Sequence, residues 1–512
     1  MQSIRGREAW GGSGTRYWPT LLAGALIFTV LRVPSFWEPY WYTDEAGYLT
    51  TARGVLQGKV LYAQVWNNKP PLQIWTVALA LKLFGPTEWG LHLLTFLYGL
   101  LTLAAVAYAA TRLLTPARSV VAVVLGAVLL GAPWVGNELS IPENFLIAPT
   151  AWAGALLLTR VGGGGRWWPV AVGALAATAV AYQQTALADA AAFAAIIVFA
   201  APRPLRSLLI YLTTLVVGTA VWLVPTVIVA GPSNVAFALV VFYVGFTTMV
   251  LPHQAHFSLG VRAVLLPAAT GLALLGAYLL RRYPVHTWAT WFWAIATGLI
   301  TAAAQQPYAH YLIPVTVPFT LALASVPLPW PRSWRVRPAA GAAAIVGAAV
   351  IAAVLASVVD QDWMIYQAWL RPYYSGFANV ALGRESLTSW QDSFDSRVAS
   401  DRQVAIWIRA HHLEGTRTVV WSSDTWLYLE ADLPLLMPTA PIYNDEEALL
   451  GENGQTARRV AQLNPEMIIT STPDVNTYPD IKPLLAKRYH RVYESGWDSV
   501  WLRDGTAAAS GP

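Results

Sequence analysis

Windows of about 20 apolar residues recur along the chain, near 18–34, 89–111, 119–137, 143–160, 167–186, 188–202, 207–230, 260–280, 286–304, 308–328 and 338–359. A run of that length spans the hydrocarbon core of a bilayer as a helix. No water in that core hydrogen-bonds a bare backbone, so a chain built this way has few folds open to it besides a bundle of helices. The loops test the count independently. With the N-terminus inside, the inner loops hold Arg112 and Arg118, Arg160 and Arg166, Arg203 and Arg206, Arg281 and Arg282, and Arg332, Arg335 and Arg337. The outer loops at 138–142, 187 and 231–257 hold no Lys or Arg, as the positive-inside rule requires. The expectation is a polytopic α-helical membrane protein of about eleven spans, with its C-terminal segment outside.

Composition agrees, since only 12% of residues are charged against roughly 25% in a soluble domain. The net charge of +5 lies in the short inner loops, so it reports orientation and gives no nucleic-acid signal. The absence of cysteine excludes disulfides, thiolate metal sites and cysteine nucleophiles. Arg5, Arg7 and Arg16 precede the first apolar window without a small-residue cleavage site after it. It therefore reads as an uncleaved first span.

The first outer loop, 35–88, is too long for a connector. Within 45–58 the apolar residues Tyr48, Leu49, Ala52, Val55 and Leu56 share one helical face, which predicts a helix lying in the membrane interface. After Pro70 and Pro71, Leu72 to Phe84 is apolar but too short to span with ease, and reads as a re-entrant or interfacial helix. From Asp360 the composition turns ordinary, and residues 360–512 read as a separate extracytoplasmic α/β domain after a transmembrane domain at 1–359. Strands are expected at 418–421, 467–470, 489–493 and 499–502, and helices near 397–412, 424–431, 455–463 and 479–488.

Two adjacent carboxylates, Asp44 and Glu45, sit just past the first span. Like charges side by side at a membrane boundary have no packing reason to be there. Asp44 fits a general base with Glu45 orienting it or the acceptor, and Lys69 supplies a cation for an anionic leaving group. Other readings stay open: Asp44 also suits the cap of the helix that follows, and Lys69 suits snorkelling toward lipid phosphates. A second polar cluster, Gln305-Gln306-Pro307-Tyr308-Ala309-His310-Tyr311, opens the tenth window. Its tyrosines suit interfacial anchors, whereas a neutral imidazole in an apolar helix needs a partner. Tyr182, Gln183, Gln184 and the stretch from Glu138 to Glu143 are candidate walls, and Trp41, Trp66 and Trp75 are candidate sugar-stacking rings. His253 and His256 with Arg262 have metal-like spacing but no third ligand.

These motifs together, Tyr42-Thr43-Asp44-Glu45-Ala46-Gly47-Tyr48, Trp66-Asn67-Asn68-Lys69-Pro70-Pro71-Leu72 and Tyr308-Ala309-His310-Tyr311-Leu312-Ile313-Pro314, resemble those of the bacterial GT-C glycosyltransferases. The likeness runs over the whole chain and is nearest to the protein-mannosyltransferase and lipid A aminoarabinose-transferase branch. It implies a GT-C fold in the bacterial inner membrane. It further implies transfer of a sugar, with inversion, from a polyprenyl-phosphate donor to a lipid, glycan or protein acceptor on the outer face. By the same resemblance Asp44 is the base and Glu45 its catalytic neighbour. Lys69 holds the carrier phosphate, with Tyr308, His310, Tyr311, Trp66 and Asn68 as donor contacts. The branch needs no metal, and with no ligand set for a divalent ion no cofactor is expected. The rival reading is a transporter or flippase of a lipid-linked sugar, but the acids lie at the membrane edge and no internal repeat occurs, unlike the usual transporter plan.

Overall fold

The structure is a computed structural model that describes residues 13–163, 165, 167–245, 284–304, 309–325, 362–438 and 455–506. The windows at 260–280 and 338–359, together with Tyr308, Gln305, Gln306, His253, His256 and Arg262, lie outside the described residues.

The other nine apolar windows are helical. Helix α1 (Ser13–Arg32) ends in a 3-10 turn at Val33–Trp37, and α4 (Glu88–Leu113), α5 (Pro116–Gly131), α6 (Pro142–Arg160), α7 (Trp168–Val180), α8 (Leu187–Ala200) and α9 (Pro204–Ala230) follow the predicted order. A further helix covers Val285–Ala304, and the tenth window starts as a 3-10 helix, Ala309–Val315, before Thr316–Ser325. Proline at the first turn opens α5, α6 and α9, where its missing N–H costs nothing. Among the described residues, three segments are long and apolar enough to cross a membrane by themselves: Tyr17–Trp37, Glu88–Leu113 and Pro204–Ala230. The residues expected as a loop from 231 continue as helix to Gly245.

Helix α6 is the packing centre, lying against α4 and α7, while α1 packs on α5 and α7 on α9. Small residues allow these close crossings. A methyl group at Gly154 of α6 lands 2.3 Å from the Trp293 ring, and one at Gly173 of α7 lands 2.7 Å from the Tyr211 carbonyl of α9. The outward face of α9 exposes Leu205, Leu209, Val216, Val221, Val224 and Ile228. An exposed apolar stripe of that length suits contact with lipid.

The first loop forms α2 (Thr43–Leu56) and α3 (Pro71–Phe84), within two residues of the expected helices. Helix α3 leaves Trp75, Leu79 and Leu83 exposed along one stripe and buries Ile74, Val77, Ala78 and Leu81 on the other.

The C-terminal segment carries a four-stranded sheet, β1 (Thr418–Trp421), β2 (Met467–Ser471), β3 (Tyr489–Ser495) and β4 (Asp498–Arg503), in the order β1-β2-β4-β3. Strand β1 pairs with β2 in parallel, with Val419 opposite Ile468, and β4 runs antiparallel to both β2 and β3. Alternate residues point to opposite faces. Val419, Trp421 and Ile468 pack with Ile481 and Leu485 on one side, while Val420, Ile469 and Val500 join Val404 and Ile408 of the helix Ser396–Ala410 on the other. A helix at Asp362–Ala381 opens the C-terminal segment, ahead of the helices expected there. Pro372 sits within it, and Tyr373 is buried with its hydroxyl 2.6 Å from the Glu38 carboxylate.

Candidate active site

Asp44 is the second residue of α2. The N-cap is Tyr42, and no side chain caps the helix, so the capping reading of Asp44 is not the observed one. Both acids nonetheless lie in the first turn, where the helix dipole favours negative charge. Neighbours on a helix project about 100° apart, so Asp44 and Glu45 cannot face the same way. Asp44 is half-buried, whereas Glu45 is buried and accepts a hydrogen bond from the Ser140 amide. Burial pushes the Glu45 carboxyl up to about 8, with the Ser140 bond pulling the other way.

Lys69 comes to the same place from the other end of the loop. Its amide donates to Asn67 Oδ1 at 3.0 Å, and its carbonyl accepts the Tyr62 hydroxyl at 2.7 Å. Tyr62 itself holds a positive φ of 71°, a conformation a non-glycine residue adopts only under local constraint. The Tyr243 hydroxyl lies beside the ammonium. Burial opposes its charge, but Tyr243, Tyr311, Glu143 and Asp44 more than offset this and hold Lys69 above the ordinary lysine range. A half-buried cation held beside two acids is a fixed charge and not a snorkelling one.

His310 is buried, and its Nδ1 lies 3.0 Å from the Tyr42 hydroxyl, two residues from Asp44. Tyr311 packs its ring 4.6 Å from the His310 ring. Glu143, at the first turn of α6, accepts from Gln183 Nε2 at 2.7 Å. The structure thus brings Asp44, Lys69, His310, Tyr311, Glu143 and Tyr243 into one cluster. Glu143 had a sequence signal, a carboxylate opening an apolar window, and was among the candidate walls. Tyr243 had none, because its nearness to Lys69 depends on the helical course of residues 232–245.

The aromatic residues divide. Trp66 packs on Phe242 and Phe237 at 5.1 and 6.2 Å, and its amide donates to the Pro438 carbonyl at 2.8 Å. Trp41 packs edge-on against Tyr42 and Phe394. Trp75 stands apart on the exposed stripe of α3. Asn68 touches the group through its carbonyl, which accepts from Gln184 Nε2 at 3.5 Å. Among the described residues no group of three or more His, Asp or Glu could hold a metal ion.

A buried charge cluster lies behind Glu45. Arg32 ends α1, Glu38 accepts from Tyr373 and Trp41, and Glu138 sits two residues before Ser140. Burial raises the carboxyls of both Glu38 and Glu138, the latter to about 7, with Arg32 opposing each shift.

Residues 68–229 match the family described as Dolichyl-phosphate-mannose-protein mannosyltransferase. No curated protein matches the sequence. Two crystal structures of ArnT from Cupriavidus metallidurans share the fold. The one bound to undecaprenyl phosphate is 20% identical, covers 97% of this chain and 99% of its own, and superposes with a TM-score of 0.62. The apo state is 19% identical over 98% and 99%, with a TM-score of 0.61. The chain has the fold of these two ArnT structures, and its stretch from residue 68 to 229 carries the protein-mannosyltransferase pattern.

Proposed function

We propose that this protein is an inverting glycosyltransferase. It moves a sugar from a polyprenyl-phosphate carrier to an acceptor hydroxyl at the extracytoplasmic face. The observation that carries the reading is the single cluster in which a carboxylate, Asp44, lies beside a half-buried cation, Lys69, from the same loop. Asp44 takes the proton from the attacking hydroxyl. Lys69 and the Tyr243 hydroxyl stabilise the phosphate monoester as the bond to the anomeric carbon breaks, since charge on that oxygen grows in the transition state. His310 and Tyr311 line the donor side, and Glu143 with Gln183 holds the ammonium in place. Glu45 acts one layer back, anchoring α2 to the loop at Ser140 so that Asp44 keeps its aim. Support for the carrier comes from the fold shared with ArnT, one structure of which is bound to undecaprenyl phosphate. Residues 360–512 form the extracytoplasmic domain in this reading.

The test uses the full-length protein in proteoliposomes with a labelled undecaprenyl-phosphate sugar. Expected is cleavage of the sugar–phosphate bond, with label moving to an acceptor or to water. Movement of the intact lipid across the bilayer without cleavage contradicts the enzyme and supports a flippase.

A further inference from the structure

Gly47 lies in the middle of α2, where glycine costs stability relative to alanine. Its φ is not positive, so the backbone does not require glycine. Steric crowding does not require it either. A methyl group at Gly99 lands 2.4 Å from the Phe28 ring, and those at Gly154 and Gly173 also strike neighbours, but one at Gly47 meets nothing within 4 Å among the described residues. Yet Gly47 is buried. Buried, yet met by no described atom where a β-carbon would stand, Gly47 leaves room on that face of the helix.

That space has a defined position. On a helix, residues three and four apart share a face, so Gly47 lies between Asp44 on one side and Thr51 on the other. Thr51 Oγ1 bonds back to the Gly47 carbonyl at 2.7 Å and accepts from Asn67 Nδ2 at 3.5 Å, and Asn67 Oδ1 holds the Lys69 amide. The room beside Gly47 is therefore bounded by the base at one end and by the turn that carries the phosphate-binding cation at the other. In an inverting displacement the group between base and leaving phosphate is the transferred sugar. We infer that Gly47 is a specificity-determining residue whose missing side chain makes room for the ring of the donor sugar. This deepens the glycosyltransferase reading and rests on it.

The experiment compares the parent with Gly47→Ala and Gly47→Leu, using undecaprenyl-phosphate mannose and undecaprenyl-phosphate arabinose as donors and bare undecaprenyl phosphate as the ligand without a sugar. Gly47→Ala keeps or raises the thermal midpoint, because a methyl group there adds helix propensity and meets no described atom, and Gly47→Leu is read at a temperature below its own midpoint. Bare undecaprenyl phosphate binds all three with the same Kd. Transfer from the donor the parent uses falls about tenfold or more in Gly47→Leu, with a smaller fall in Gly47→Ala. Parental transfer by a folded Gly47→Leu overturns the inference and leaves the glycosyltransferase reading standing. Equal weakening of bare-lipid binding and transfer also overturns it, by moving the room to the carrier. A parent that cleaves neither donor overturns the donor assignment, and the room with it.

Discussion

Asp44 and Glu45 are adjacent in sequence and differ in environment. One is half-open beside Lys69, and the other is sealed against the Ser140 amide. The sealed carboxyl has its pKa raised from 4.5 to about 8, so the folded chain keeps a proton that the unfolded chain releases. Its contribution to stability is full below about 4.5 and is lost as pH rises through about 8, with a slope of at most ~1.4 kcal/mol per pH unit. Glu45→Gln removes the titration and keeps an acceptor for Ser140. Thermal melts of parent and variant in detergent are therefore expected to diverge across this window, the parent falling more steeply. Parallel curves contradict the assignment. At Lys69, replacement by alanine removes the carrier's cation and also leaves Glu143 without its counter-charge. Donor binding is expected to weaken by about tenfold or more, and Lys69→Arg recovers part of it. Titration of the variants with undecaprenyl phosphate checks this, and unchanged binding contradicts the phosphate role.

Elements follow the sequence closely where one periodicity rules. The strands at 418–421 and 489–495 and the helix Gln455–Leu463 sit where alternation or amphipathic spacing puts them. The helix Asp362–Ala381 was not legible, because Pro372 and the end of an apolar window mask its pattern; its reason is tertiary, the Tyr373 bond to Glu38. Asp44's separation from Glu45 was legible once a helix was assigned, since helical geometry alone turns them apart. The partners of Glu45 were not, because Ser140 is 95 positions away in sequence. Helix contact in the bundle gives its own prediction. Gly154→Ala drives the Trp293 ring away, and Trp293 Nε1 and Thr297 Oγ1 each donate to Asp189 at 2.7 Å. Overpacking plus a weakened buried hydrogen bond is expected to cost about 2–4 kcal/mol, seen as a lowered thermal midpoint. A neutral substitution contradicts the packing of α6 on the helix Val285–Ala304.

Across the whole molecule, the C-terminal segment is fastened to the loop that carries both proposed catalytic charges. Arg53 donates to the Tyr428 carbonyl and the Asp432 carboxylate, Lys59 to the Leu435 carbonyl, and the Trp66 amide to Pro438. Tyr40 stacks on Trp426 at 4.4 Å, and the Thr50 and Thr425 hydroxyls lie 3.4 Å apart. The run from 425 to 438 thus follows the loop from one end to the other. Arg53→Ala with Lys59→Ala is expected to expose the Trp66 amide to faster hydrogen exchange. Because the chain has no cysteine, Thr50→Cys with Thr425→Cys offers a clean disulfide lock that restores protection when oxidised. Exchange at Trp66 that ignores both changes contradicts the docking. Nothing in the sequence announced this contact, since Arg53 and its two partners lie 375 and 379 positions apart.

The measurement that bears most directly on the account is single-turnover transfer by Asp44→Asn, read beside its affinity for the undecaprenyl-phosphate sugar. Loss of a general base predicts a fall of about 10²–10⁴ in the transfer rate, with donor affinity unchanged because Lys69 remains. Transfer by Asp44→Asn at the parental rate contradicts the base, and with it the mechanism built around the cluster.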